Sequence, residues 1–136
     1  MHTFNLAVAV TLLPVAAGFF SFWRRKAPPN LDQVVLDRLR AAGSDLRMPH
    51  MIVHYLYFPS APLATQAAGQ ASQLGCSAKV DVAADLKSWL CLVTVRMVPS
   101  LTAISQLREK LEWVAADNEG EYDGWEAEVL TTTTPN

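Results

Sequence analysis

Met51-Ile52-Val53-His54-Tyr55-Leu56-Tyr57-Phe58 is apolar or aromatic at nearly every position, and Pro59 ends it. A run of this kind, without polar alternation, reads as a strand covered on both faces at the centre of a sheet. Working outward, Ser60 and Pro62 open an alanine-rich helix that runs to Leu74 and is closed by Gly75. Residues 77–83 alternate Ala78, Val80 and Val82 against Lys79 and Asp81, and residues 88–98 form a second long apolar strand. The two read as a hairpin turning at 84–87. Pro99-Ser100 begins a last helix, in which Leu101, Ile104, Leu107, Leu111 and Val114 recur at helical spacing as far as Asn118. A short final strand is expected after Gly124. A first helix over 31–42 precedes the rest, with Asn30 and Gln33 as its capping pair and Gly43 as its stop. Its stripe of Leu31, Val34, Val35, Leu39 and Ala42 predicts docking on the domain. In a βαββαβ chain of the ferredoxin-like plan the first and third strands are central, and here those two are the apolar ones. The fold class is therefore α+β, a ferredoxin-like βαββαβ domain behind one helix.

With 136 residues and a hydrophobic fraction of 51%, the chain holds one domain of roughly 100 residues plus an appendage. The appendage is the uncharged run 4–23, long enough to cross a bilayer as a helix. Arg24-Arg25-Lys26 follow it, whereas a cleaved leader carries its cations ahead of the apolar core. By the positive-inside rule, cations after the span keep the domain on the cytoplasmic side. The expected division is a membrane anchor with basic flank at 1–26, a linker at 27–30, the domain at 31–130 and a polar tail at 131–136. Retention of 4–23 as a single-pass anchor is the first reading, with its removal as a leader and its burial as a helix of a soluble protein as the alternatives.

From Leu31 onward there are 8 cations against 13 acids, a balance of 8 − 13 = −5. That opposes direct nucleic-acid binding, which needs a basic footprint. Tyr55 and Tyr57 share one face of the central strand, where some such sheets stack bases; without a basic stripe they are expected to pack under the first helix. His54 is a lone strand histidine with a core role. No ligand set for a metal can be drawn, and neither a Gly-x-Ser-x-Gly elbow nor a phosphate-cradling glycine loop is present. No catalytic residue and no cofactor is expected. Cys76 lies about 13 Å along the strand from the position opposite Cys91, so a disulfide is not expected.

Between Glu109 and Glu128 eight acids face the single cation Lys110, a balance of 1 − 8 = −7. Clusters of this kind are usually solvated faces. Trp113, however, lies roughly 140° around the last helix from its apolar stripe, on the side of Glu109 and Asp117. An exposed tryptophan ringed by acids suits a basic segment of a protein partner. The candidate partner-binding set is Trp113, Glu109, Glu112, Asp117, Glu121, Asp123 and Trp125. The last either extends the patch or pins its turn into the core.

Tyr55-Leu56-Tyr57-Phe58-Pro59, Val98-Pro99-Ser100 and Glu121-Tyr122-Asp123-Gly124-Trp125-Glu126, in this order, resemble the family called regulator of ribonuclease activity B, or ribonuclease E inhibitor. The resemblance extends from Leu31 to Val129. It implies a small cytoplasmic protein that binds the endoribonuclease away from its catalytic centre and dampens RNA turnover, with no catalytic motif of its own. Combined with the apolar run, it places the expected chain at the bacterial inner membrane, with its domain in the cytoplasm. The alternative of a different class is a membrane-tethered small-ligand or sensory domain on the same sheet.

Overall fold

The computed structural model describes residues 7–8 and 31–131. In chain order the elements are β1 (Ala7–Val8), α1 (Leu31–Ala41), β2 (His50–Phe58), α2 (Ala61–Gln73), β3 (Ser77–Val82), β4 (Trp89–Met97), α3 (Leu101–Asp117) and β5 (Glu121–Glu128). Serine caps start both crossover helices. Ser60 and Ser100 have extended backbone, and their hydroxyls accept from the amides of Leu63 and Ala103. Each thereby satisfies an amide that the first helical turn leaves without a partner.

The sheet order is β1-β5-β2-β4-β3, with every pair antiparallel. From residue 31 onward this is the βαββαβ arrangement, and the two apolar strands β2 and β4 are flanked on both sides, as the sequence pattern predicts. The β3–β4 hairpin places Val80 opposite Cys91. Asp85 holds its turn by accepting from the amides of Lys87 and Ser88, and Leu86 takes φ 59°. Both cysteines are free and buried.

Three expectations need correction. First, β2 alternates instead of being buried throughout: His50, Ile52, His54, Leu56 and Phe58 are buried, whereas Met51, Val53, Tyr55 and Tyr57 are exposed or half-buried. Its central position comes from strands on both edges, and the helices among the described residues lie on one face. Second, the tyrosines do not pack under the first helix. Leu31 of α1 packs with Leu56 and Phe58, and Val35, Leu36 and Leu39 pack with Ile52, so α1 lies on the face that the tyrosines turn away from. Third, the last strand begins at Glu121. The turn before it is made by Asn118, Glu119 and Gly120, with Glu119 at φ 62°, and Gly124 sits inside the strand at a bulge.

Of the apolar run 4–23 only Ala7 and Val8 are described, and they are extended, beside Glu128 and Ala127 of β5, rather than helical. The open edge of β5 accounts for the pairing, since its free amides and carbonyls accept another strand. The rest of the run, the linker with its Asn30 cap, and residues 132–136 lie outside the described residues. Among the described residues no helix is long and apolar enough to cross a membrane.

Two glycines give a paired test of this packing. A methyl group added at Gly120 would meet the Phe58 ring and the Tyr57 carbonyl far inside van der Waals contact, whereas at Gly69, in α2, nothing lies within 4 Å. Gly120→Ala is expected to cost about 2 kcal/mol or more, and Gly69→Ala to add up to about 1 kcal/mol. Urea unfolding of the two variants beside the parent checks both signs.

Candidate functional site

Helix α3 buries Ile104, Leu111, Val114 and Ala115, and this stripe fixes what its other side shows. Trp113 is 75% exposed, with Glu109, Lys110 and Asp117 also exposed and Glu112 half-buried. The indole stands as a ridge between two shallow grooves. One, of about 310 Å³, is lined by Glu109, Glu112, Trp113 and Ala116. The other, of about 500 Å³, runs between α2 and α3 and is lined by Gln70, Gln73, Leu74, Lys110, Val114, Asp117 and the same indole. One groove is acidic and the other amide-bearing and apolar, so an aromatic edge and negative charge meet within a single helical turn.

A buried network underlies this face. Asp32, on the inner side of α1, is 3% exposed. Its Oδ1 accepts from the Trp125 indole N–H at 3.0 Å, and its Oδ2 from the Ser105 hydroxyl at 2.9 Å and Arg108 Nε at 2.7 Å. Arg108 in turn donates through Nη1 to Glu112 at 3.0 Å. Burial works against the Arg108 charge, but Asp32 and Glu112 outweigh it and hold the guanidinium above its ordinary pKa. Burial lifts the Glu112 carboxyl above its usual value in spite of Arg108. The carboxylate beside Trp113 is thus held in place from within the core.

The candidate residues divide. Trp113, Glu109, Glu112 and Asp117 come together on α3. Trp125 is 1% exposed and bonded to Asp32, so it pins β5 into the core and is no surface residue. Glu121 is half-buried and Asp123 1% exposed. Glu121 pairs with Tyr57, whose side chain points to the face away from the helices, and neither acid joins the Trp113 grooves. His54 is buried, and its Nδ1 lies 2.8 Å from the Tyr122 hydroxyl. Desolvation pushes its pKa down to about 3, which keeps the ring neutral. Among the described residues no group of three His, Cys, Asp or Glu stands where it could hold a metal ion.

Asp32 went unnoticed in the sequence. The signal was present: it lies three, four and seven positions before Val35, Leu36 and Leu39, on the stripe that docks. A carboxylate on an apolar stripe requires buried donors.

Three helices on one face of an antiparallel sheet make this a domain of the α+β class, with an exposed indole between an acidic and an amide-lined groove. The family regulator of ribonuclease activity B matches residues 30–127, and the chain belongs to that family. None of the curated proteins matches the chain.

The network and the ridge respond differently to substitution. Asp32→Ala takes the buried acceptor from a part-buried guanidinium, a hydroxyl and a buried indole N–H, and is expected to cost about 3 kcal/mol. Trp113→Ala should leave stability within about 0.5 kcal/mol, as at exposed sites. Chemical denaturation of both variants checks the contrast.

Proposed function

We propose that this chain is a non-enzymatic regulator that binds a basic segment of a ribonuclease E-type nuclease, or of its assembly, through Trp113, Glu109, Glu112 and Asp117, and so modulates RNA turnover. Family membership supports the nuclease as partner. The observation that carries the surface is Trp113, 75% exposed and bordered by an acidic groove. A large aromatic left in water is the kind of residue that dominates an interface once buried, and an arginine-bearing segment gains both cation–π contact and charge pairing there. Exposed Glu109 and Asp117 would act on encounter rate, and Glu112, tied to Arg108, on fit.

Trp113→Ala is expected to weaken partner binding by about 2 kcal/mol with an unchanged unfolding midpoint. Glu109→Lys with Asp117→Lys should slow association, and added salt should reproduce that effect. Titration calorimetry and stopped-flow association with the purified nuclease are the measurements. Unaltered affinity in a folded Trp113→Ala protein would end the claim for this surface.

We further propose that residues 4–23 anchor the chain in the inner membrane with the domain in the cytoplasm, supported by the length of the uncharged run and the cations behind it. Burial of Ala7 and Val8 in a bilayer excludes their pairing with β5. Cysteines placed at Val8 and Ala127, which pair across the strands, therefore discriminate. Absence of a disulfide in intact membranes, together with resistance to alkaline extraction, is the outcome expected for an anchor. Efficient cross-linking, or activity of a C-terminal reporter that works only outside the cytoplasm, would overturn it.

A further inference from the structure

Strand β3 ends the sheet on the side away from β5, and among the described residues no strand lies beyond it. Its register with β4 runs unbroken from Ser77 to Val82, with neither bulge nor proline. The pairing decides which backbone groups are left over. The Ala83 amide donates to the Ser88 carbonyl at 2.9 Å, one step beyond the Val82↔Trp89 pair. At two-residue intervals from Ala83, the amides and carbonyls of Asp81, Lys79 and Ser77 are therefore also turned to β4. Those of Ala78, Val80 and Val82 are turned to the open edge, and there the Val82 amide donates to the Asp81 carboxylate at 2.8 Å. The side chains alternate as well. Ala78 and Val80 pack against the core, Val82 continues their row but is 41% exposed, and Lys79 and Asp81 are exposed on the other face.

We propose that this edge pairs with the same edge of a second copy of the chain, antiparallel about a two-fold axis through Val80. Charge selects both the occupant and the register. A two-fold axis through Lys79 or Asp81 would set like charges directly opposite each other, which opposes pairing. Axes through Ala78 or Val82 would run most of the strand past its partner's end. With Val80 on the axis, Lys79 of each copy faces Asp81 of the other, so two opposite-charge pairs form on one face. On the other face Val82 is covered beside Ala78 of the second copy, which extends the apolar row across the junction. The outward amides and carbonyls of Ala78, Val80 and Val82 then meet their counterparts. Val82 exchanges the Asp81 carboxylate for a backbone carbonyl, and Asp81 is released to Lys79 of the second copy. A six-residue strand makes a small contact, so the dimer is of the weak, concentration-dependent kind. None of these residues lines the Trp113 grooves, and the pairing does not depend on the partner surface proposed there.

The test is charge exchange in the full chain, with mass followed against concentration by sedimentation velocity. The parent is expected to pass from monomer to dimer. Lys79→Asp sets acid against Asp81 of the second copy, and Asp81→Lys sets cation against Lys79. Each should weaken association by about tenfold or more, and the double exchange should restore it. All three change exposed side chains, so thermal midpoints should stay near that of the parent. Register has its own readout in mild oxidation of Lys79→Cys and Asp81→Cys proteins. An equimolar mixture should cross-link several-fold more than either protein alone, because only the mixture brings the two thiols directly opposite. A parent that stays monomeric at all concentrations would overturn the proposal and leave Lys79 and Asp81 as guards of a bare edge. Association that the charge variants share equally, as contact through the apolar run 4–23 would produce, would overturn it too. So would cross-linking of either single variant that matches the mixture.

Discussion

The Asp32 carboxylate joins three elements through a single buried group. It accepts from Trp125 on β5 and from Ser105 and Arg108 on α3, while itself standing on α1. Both oxygens are occupied, which is the condition under which a buried charge is tolerable. α1 is prefixed to the βαββαβ unit, and its stripe of Leu31, Val35, Leu36 and Leu39 packs into the core beneath it. The directional bonds of Asp32 fix its position. Since Arg108 continues to Glu112, the same carboxylate also sets the geometry of the surface beside Trp113. Core and candidate site share one chain of charge-assisted bonds.

Most of the fold was legible because its signals are local. Serine caps, alanine-rich α2, the stripe of α3 and the apolar strands β2 and β4 each specify their own element, and the strand pattern specified the order. What stayed hidden required knowledge of pairing. Tyr55 and Tyr57 are apolar enough to suggest helices on both faces of β2, yet among the described residues no helix lies over these half-buried rings, and the strand is flanked on two edges. The sequence of β2 alone cannot separate the two causes of burial.

The site was legible in part for the same reason. Trp113 follows from helical angle, which depends only on spacing along α3. The acids of β5 do not, because one extra residue in a strand reverses the face of all that follow. Strict alternation from Tyr122 would put Gly124 and Glu126 toward the helices. With Asp123 as the extra residue, Tyr122 and Trp125 share the core face instead, and Glu121 and Glu126 pair with Tyr57 and Val53 on the other. Acids that cluster in sequence between 109 and 128 are thereby divided between the two sides of the sheet.

This division bears on how the surface can act. The domain's tryptophan in β5 is committed to Asp32 and the core, whereas the indole on α3 has 75% of its surface in water and lines no core cluster. Exposure of so large an apolar group contributes little to folding, and burying it against a partner contributes more than almost any other side chain. On α3, Ile104, Leu111 and Val114 face inward and carry packing, which leaves Trp113 with its acids outward as the candidate contact surface. Arg108 and Glu112 link the two sets, since the guanidinium that Asp32 holds in the core also holds the carboxylate beside Trp113.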